Sequence, residues 1–209
     1  MPERPCVVLG VTGPAPAFPV ASPRLVVVSG PSGVGKTTLC ETLLEDPRLV
    51  ASVSCTTRPP RPGEIDGTHY TFLARDEFER RVAAGAFLEH AVVHDQWYGT
   101  PREAIESALR AGRCPLLDID VQGADQVRAH GLPATYLFIA PRSLDVLRER
   151  LGRRRTEDRA MMERRLAVAA RELAAAPRYD RVVVNENVDD ALRELKAYLE
   201  ERVFGGGKR

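Results

Sequence analysis

"RLVVVSGPSGVGKTTLCETLLED" (residues 24–46) begins with a run of β-branched residues, breaks at a glycine and resumes with a helical pattern. A short continuous apolar run bounded by glycine, as in "RLVVVSG" (24–30), predicts a strand covered on both faces. Beyond the glycines, Leu39, Cys40, Leu43 and Leu44 recur at helical spacing, and Pro47 ends the pattern. Between strand and helix, "GPSGVGKT" (30–37) matches G-x-x-x-x-G-K-[ST] at each fixed position. Glycines there let backbone N–H groups turn inward around phosphate oxygens, and the helix start adds partial positive charge. Gly30, Pro31, Ser32, Gly33, Val34, Gly35, Lys36, Thr37 and Thr38 are therefore candidate nucleoside-triphosphate contacts. Lys36 is the candidate countercharge for the β/γ-phosphates, and Thr37 a candidate Mg²⁺ ligand.

Working outward, "PLLDID" (115–120), "ATYLFIA" (134–140) and "RVVVN" (181–185) read as further buried strands. Helices are predicted at "RDEFERRVAAG" (75–85), near 122–129, over 143–151, over 157–175 and in the final "DDALRELKAYLEERV". "TPREAIESALRAG" (100–112) carries a full set of helix signals: Thr100 as N-cap, Pro101 at the first position, Glu103 closing a capping box and Gly112 at the end. Strands alternating with helices imply an α/β fold with a mostly parallel, wrapped sheet. "LLDID" puts acids at a strand's C-terminal end. Since strand residues alternate faces, Asp118 and Asp120 point the same way and are candidate holders of Mg²⁺, directly or through water. Either could instead cap the next loop.

Residues 52–98 lean toward strands and turns, and within them lies "SCTTRPPRPGEIDGTHY" (54–70). Prolines 59, 60 and 62 favour extended backbone around Arg58 and Arg61, with an acid and a tyrosine just downstream. Guanidinium forks match phosphate oxygens, so a stiffened pair suits a second phosphate facing the loop. Arg-Pro segments are more often solvated turns. Here Tyr70 and Tyr98 offer hydroxyls nearby, and Glu89 interrupts an apolar strand pattern.

The chain has 209 residues, 44% hydrophobic and 28% charged, with net charge +1, which suits one α/β domain with insertions. That balance points away from nucleic acid and anionic membrane, and no apolar run reaches the ~20 residues of a membrane span. Residues 142–165 are locally basic, with nine arginines against five acids. Cys6, Cys40, Cys55 and Cys114 show no C-x-x-C spacing, which excludes a disulfide scaffold or zinc site as the expected reading and favours a cytoplasmic protein. The Pro/Ala-rich start reads as a disordered tail (1–22) rather than a signal, and 206–209 as a flexible end.

Five motifs in order carry a resemblance to the guanylate kinase family: "SGPSGVGKTTL", "VSCTTRPPRPGEIDGTHYTF", "AFLEHAVVHDQWYGTPREAI", "LLDIDVQGA" and "VVVNENVDDAL". It spans about residues 24–204. The resemblance implies a P-loop NTPase-type fold over 23–205, with a β-rich GMP-binding insertion (52–98) and a helical lid (142–166). It implies Mg²⁺-dependent transfer of the ATP γ-phosphoryl group to GMP, with dGMP a further candidate acceptor. Arg58, Arg61, Tyr70 and Tyr98 would hold the GMP phosphate; Ser54, Glu89 and Thr100 would read guanine, with Asp120 nearby. For Thr100 this competes with the capping reading. Lys36, Arg58, Arg154 and Arg165 would be catalytic, and Asn185 would lie at the adenine of ATP. Where family members commonly show Gly-Arg-Gly, this chain has Arg153-Arg154-Arg155, which leaves open which of the three acts. A phosphate-oxygen nucleophile is already anionic, so His69, His90, His94 and His130 need no catalytic role. The competing readings are a non-catalytic protein-binding module of the same fold, and a kinase for another acceptor such as a phosphorylated ribose.

Overall fold

Strand β1 (Leu25–Ser29) is buried at all five positions, and its alternating side chains feed two different cores. Val26 and Val28 pack on one side with Leu39, Leu43, Leu195 and Leu199; Leu25 and Val27 pack on the other with Ile105, Leu117, Val127 and Phe138. Burial on both faces is why the run is continuously apolar instead of alternating. The computed structural model describes residues 22–93, 95–152 and 159–205.

β1 is the centre of a five-stranded parallel sheet in the order β2-β7-β1-β8-β9, with β2 Leu49–Ala51, β7 Cys114–Asp118, β8 Ala134–Ala140 and β9 Arg181–Val184. Helices α1 (Lys36–Leu43) and α7 (Val188–Arg202) cover one face. Residues of α3 (Arg102–Arg110), α4 (Val121–Ala129) and the segment after α6 (Arg159–Ala174) cover the other. The α/β class and the wrapped parallel sheet agree with the sequence. β2 had no sequence signal, since three residues of strand are too few for a period.

A second sheet, order β4-β3-β6-β5, is built from β3 (Cys55–Thr56), β4 (Thr71–Phe72), β5 (Phe87–Val93) and β6 (Gln96–Pro101). Helix α2 (Arg75–Ala83) packs on it through Phe78, stacked on Phe87 with ring centroids 4.5 Å apart, and Trp97 completes that core. Gly99 is needed there, because a Cβ would stand 2.9 Å from Phe87 and 3.0 Å from Phe78. The second sheet is clamped to the first domain layer by Gln126 of α4. Its amide donates to the His90 carbonyl (2.8 Å) and accepts from the His90 N–H (3.0 Å), as a neighbouring strand would. Cys40, Cys55 and Cys114 are buried and form no disulfide among the described residues. Helix α5 (Leu144–Gly152) packs its Leu147 and Leu151 against Leu166 and Ala169 of α6.

Candidate active site

The phosphate loop lies where β1 ends and α1 begins. Its glycines do distinct jobs. Gly30 (φ +146°) passes so close to β8 that a Cβ would stand 2.2 Å from the Ile139 carbonyl oxygen, and Gly33 (φ +85°) leaves no room beside Leu151 of α5. Gly35 (φ +97°) is the N-cap of α1, so the unpaired N–H groups of the helix start open onto the loop. Lys36 Nζ folds back over the loop and donates to the Gly30 carbonyl (2.6 Å) and the Pro31 carbonyl (3.3 Å). Thr37 and Thr38 are exposed at the first turn. From α6, Arg165 Nη2 reaches Ser32 Oγ at 2.8 Å. Arg154 lies outside the described residues, as do Arg153 and Arg155.

β7 runs beside β1, with Asp118 in register with Val28, which sets this carboxyl beside the loop. Solvent touches it on one side, yet the protein crowded around it raises its pKa through desolvation, against the pull of Lys36. Asp120 corrects the sequence expectation. The strand ends at Asp118, and Asp120 is the N-cap of α4, accepting from the Gly123 N–H at 2.8 Å. Strand alternation therefore does not relate the two acids. Asp120 instead adds its negative charge near Glu89.

Thr100 corrects a second expectation. It is the penultimate residue of β6 rather than a helix cap; α3 starts at Arg102 after Pro101, with no side-chain cap. Its fully buried hydroxyl donates to Glu89 Oε1 at 2.6 Å. A register shift between Phe87 and Glu89 makes this pairing: Phe87 opposes Pro101, while Glu89 opposes Thr100. The bulge turns a charged residue inward where strict alternation would not. Glu89 is 6% exposed, and its Oε2 lies 2.8 Å from where a Cβ on Gly123 would stand. Desolvation raises its pKa to about 6, with Thr100 opposing and Asp120 adding to the rise.

Arg58 is gripped by Glu64, Nη1 to Oε2 at 2.7 Å and Nη2 to Oε1 at 2.6 Å, and the same carboxylate accepts from the Arg61 backbone N–H at 2.7 Å. The prolines alone do not fix the pair, then; Glu64 orients Arg58, while the Arg61 side chain stands exposed. The two arginines' hydrogen bonds hold the Glu64 carboxyl down at about 2, Arg58 contributing most. Arg58 sits 5.1 Å above the Tyr70 ring, and Tyr70 meets Tyr98 edge-on with centroids 6.0 Å apart. Burial pushes the Tyr70 phenol up, with smaller pushes from Tyr98 and Asp118 against the pull of Arg58. Asp118, the acid beside Lys36, is thus among the charges that act on Tyr70. Ser54 is half-buried at the start of β3, its carbonyl accepting from the Thr71 N–H (2.9 Å).

The sequence reading gave no role to Glu64, nor did it notice Arg150 or Glu172. Glu172 of α6 is half-buried; desolvation raises its pKa, Lys36 opposes and Asp120 adds. Its spacing of seven from Arg165 on α6 put both on one helix face, a signal the basic run obscured.

A family model described as guanylate kinase matches residues 22–202. The chain belongs to the guanylate kinase family. A guanylate kinase of Thiobacillus denitrificans is 50% identical over 181 residues, covering 86% of this chain and 87% of the relative. One of Streptomyces coelicolor is 49% identical over 186 residues, covering 88% and 94%. A crystal structure of guanylate kinase from Anaplasma phagocytophilum superposes with a TM-score of 0.68 at 34% identity, over 88% of each chain. Within this guanylate kinase family fold, the phosphate loop and the Glu89–Thr100 pair lie on either side of the β7–α4 junction, which carries both acids.

Proposed function

We propose that this chain transfers the γ-phosphoryl group of ATP to GMP, giving ADP and GDP. The observation that carries the reading is the buried Glu89–Thr100 pair, across from a complete phosphate loop. Guanine offers two adjacent donors, N1–H and the N2 amine, and one carboxylate accepts both. Adenine offers an acceptor at N1 and no N2 amine, so it would leave a desolvated carboxylate unpaired. Glu89 and Thr100 would read the base with Ser54, and Asp120 would hold the α4 end of that pocket. Arg58, Arg61, Tyr70 and Tyr98 would take the GMP phosphate, with Glu64 presenting the Arg58 fork in advance. On the donor side, loop residues Gly30 to Thr38 would cradle the ATP phosphates, and Asn185 would act beneath them.

A GMP phosphate oxygen attacks the γ-phosphorus in line, and ADP leaves with the bridging electron pair. Lys36, Arg165 and Arg154 would offset the charge that two polyanions bring together. Closure of the lid helices over the γ-phosphoryl group would exclude water and limit hydrolysis. Among the described residues no cluster of three or more His, Cys, Asp or Glu is arranged for a metal. The donor set instead fits Mg²⁺ carried on the nucleotide: the exposed Thr37 hydroxyl, and the Asp118 carboxyl, whose charge Lys36 answers. Bound there, Mg²⁺ would neutralise the β/γ-phosphates. No helix of the described residues is long and apolar enough to cross a membrane, and the three buried thiols suit a reducing cytoplasm.

The test is an acceptor panel with ATP and Mg²⁺. Turnover with GMP, and far less with AMP, UMP or phosphorylated ribose, is expected. No ADP production with any acceptor would favour the binding-module reading.

Two smaller effects follow from the pocket. Glu89 must be ionised to accept from guanine, so GMP use falls below pH 6 as its carboxyl, at about 6 in the free chain, takes up a proton. The GMP phosphate itself titrates near pH 6. The log of kcat/KM for GMP should therefore approach a slope of two on the acid side, while Glu89→Gln keeps a slope of one. Equal slopes would assign the whole limb to the substrate. Glu64 does not contribute in this window, because its depressed carboxyl loses its ion pair only as pH falls toward about 2. Glu64→Gln frees the Arg58 fork from its orientation and should raise KM for GMP roughly tenfold, with KM for ATP unchanged.

A further inference from the structure

The Val34 carbonyl is a junction of three elements distant in sequence. Asn185 Nδ2, at the end of β9, donates to it at 2.8 Å, and Arg150 Nη1, on α5, donates to it at 3.3 Å. Arg150 Nη2 donates to the Asn185 carbonyl (2.9 Å) and the Glu186 carbonyl (3.4 Å). Val34 is fully buried and Asn185 is 2% exposed, so this carbonyl and the Asn185 amide have no water as a ready alternative, while Arg150 is half-buried. The packing enforces the arrangement. A Cβ on Gly35 would stand 2.6 Å from Asn185 Nδ2, and one on Gly33 would stand 2.7 Å from Leu151, the residue after Arg150.

A trans peptide points its C=O and N–H in opposite directions, and the described residues contain no cis bond. Tying the Val34 oxygen to Arg150 and Asn185 therefore fixes the direction of the Gly35 N–H, on the opposite side of the same peptide. At φ +97° Gly35 has the freedom to let that peptide turn over, so the direction has to be held from outside. We infer that Arg150, with Asn185, is a positioning residue that locks the Val34–Gly35 peptide so that its N–H faces the nucleotide phosphates. Asn185 then serves ATP through the loop that grips its phosphates. Because Arg150 rides on the first helix of the lid region, the lock also ties the shape of the phosphate loop to α5. The inference deepens the ATP half of the proposed function and rests on it for the identity of the nucleotide.

The test uses the full chain, ¹⁵N-labelled, titrated with MgADP. In the wild type the Gly35 amide proton should move downfield on saturation, as expected of an N–H donated to phosphate. In Arg150→Met that shift should shrink. The Kd for ADP and the KM for ATP should each rise about tenfold, the loss expected for a hydrogen bond from a charged donor, while KM for GMP stays within about twofold. Arg150→Lys, which keeps the stem and one donor, should recover part of both and decides the matter if the methionine variant folds poorly. An unchanged Gly35 shift and ADP affinity in Arg150→Met would overturn the lock; so would a rise in KM for GMP equal to that for ATP, which would mean general loosening. A wild-type chain that binds MgADP with the Gly35 shift yet phosphorylates no GMP would sink the acceptor reading and leave the lock standing.

Discussion

Lys36→Ala should lower kcat by about 10³-fold or more with every acceptor, the scale seen when a charge-stabilising donor is removed from a transition state. In the free chain the ammonium rests on the carbonyls of Gly30 and Pro31. When ATP arrives it exchanges those neutral acceptors for phosphate oxygens, an exchange that gains most as charge moves during transfer. Without it, the repulsion between the two polyanions is left to the arginines and the nucleotide's Mg²⁺ to offset. The fold should tolerate the change. Lys36 is only partly buried, and losing its backbone hydrogen bonds costs about 1 kcal/mol. ADP release measured with GMP and with AMP checks the expectation. A loss confined to one acceptor would show that Lys36 serves the acceptor pocket.

Glu89→Gln should separate recognition from stability more sharply than any other change. Glutamine keeps one acceptor for the Thr100 hydroxyl but turns the other arm into a donor, which meets the N2 amine of guanine head-on. Discrimination of that kind, between a matched polar pair and a mismatched one, reaches ~10⁴-fold. A drop of about 10³- to 10⁴-fold in kcat/KM for GMP is expected, with the weak activity on AMP unchanged or improved. Thermal stability should not follow. Glu89 is an acid whose folded carboxyl is raised to about 6, so its ionised form opposes folding; that penalty is absent below the unfolded value near 4.5 and complete above about 6. The rise corresponds to about 2 kcal/mol at neutral pH. Replacing the ion by a neutral amide should leave the melting temperature equal or higher at pH 7. A large fall in melting temperature, or equal losses with GMP and AMP, would make Glu89 a structural residue.

The phosphate loop was legible because it is local. A covered strand, a glycine turn and a helix start occupy consecutive residues, and each is dictated by side chains within a few positions. The Glu89–Thr100 pair was half legible. Both residues stood out, but the helix signals at Pro101 and Glu103 pulled Thr100 toward a cap. Only the bulge after Phe87, which places Glu89 opposite Thr100, commits the hydroxyl to the carboxylate. Asp120 was misplaced in the opposite sense, as a strand residue that is in fact a helix cap, because a strand's end is set by where its neighbour stops pairing, and β1 pairs β7 only as far as Asp118.

From sequence alone come the α/β order of elements, the phosphate loop, the stiff arginine segment and the odd acid in an apolar strand. Tertiary structure decided which groups hold those pieces in working geometry. Glu64 on Arg58, Gln126 on His90, and Arg150 and Asn185 on Val34 are side-chain hydrogen bonds, the last two spanning 116 and 151 residues. Such bonds carry no period and no spacing, because a polar side chain finds its partner only after the chain has folded and water has been excluded from both.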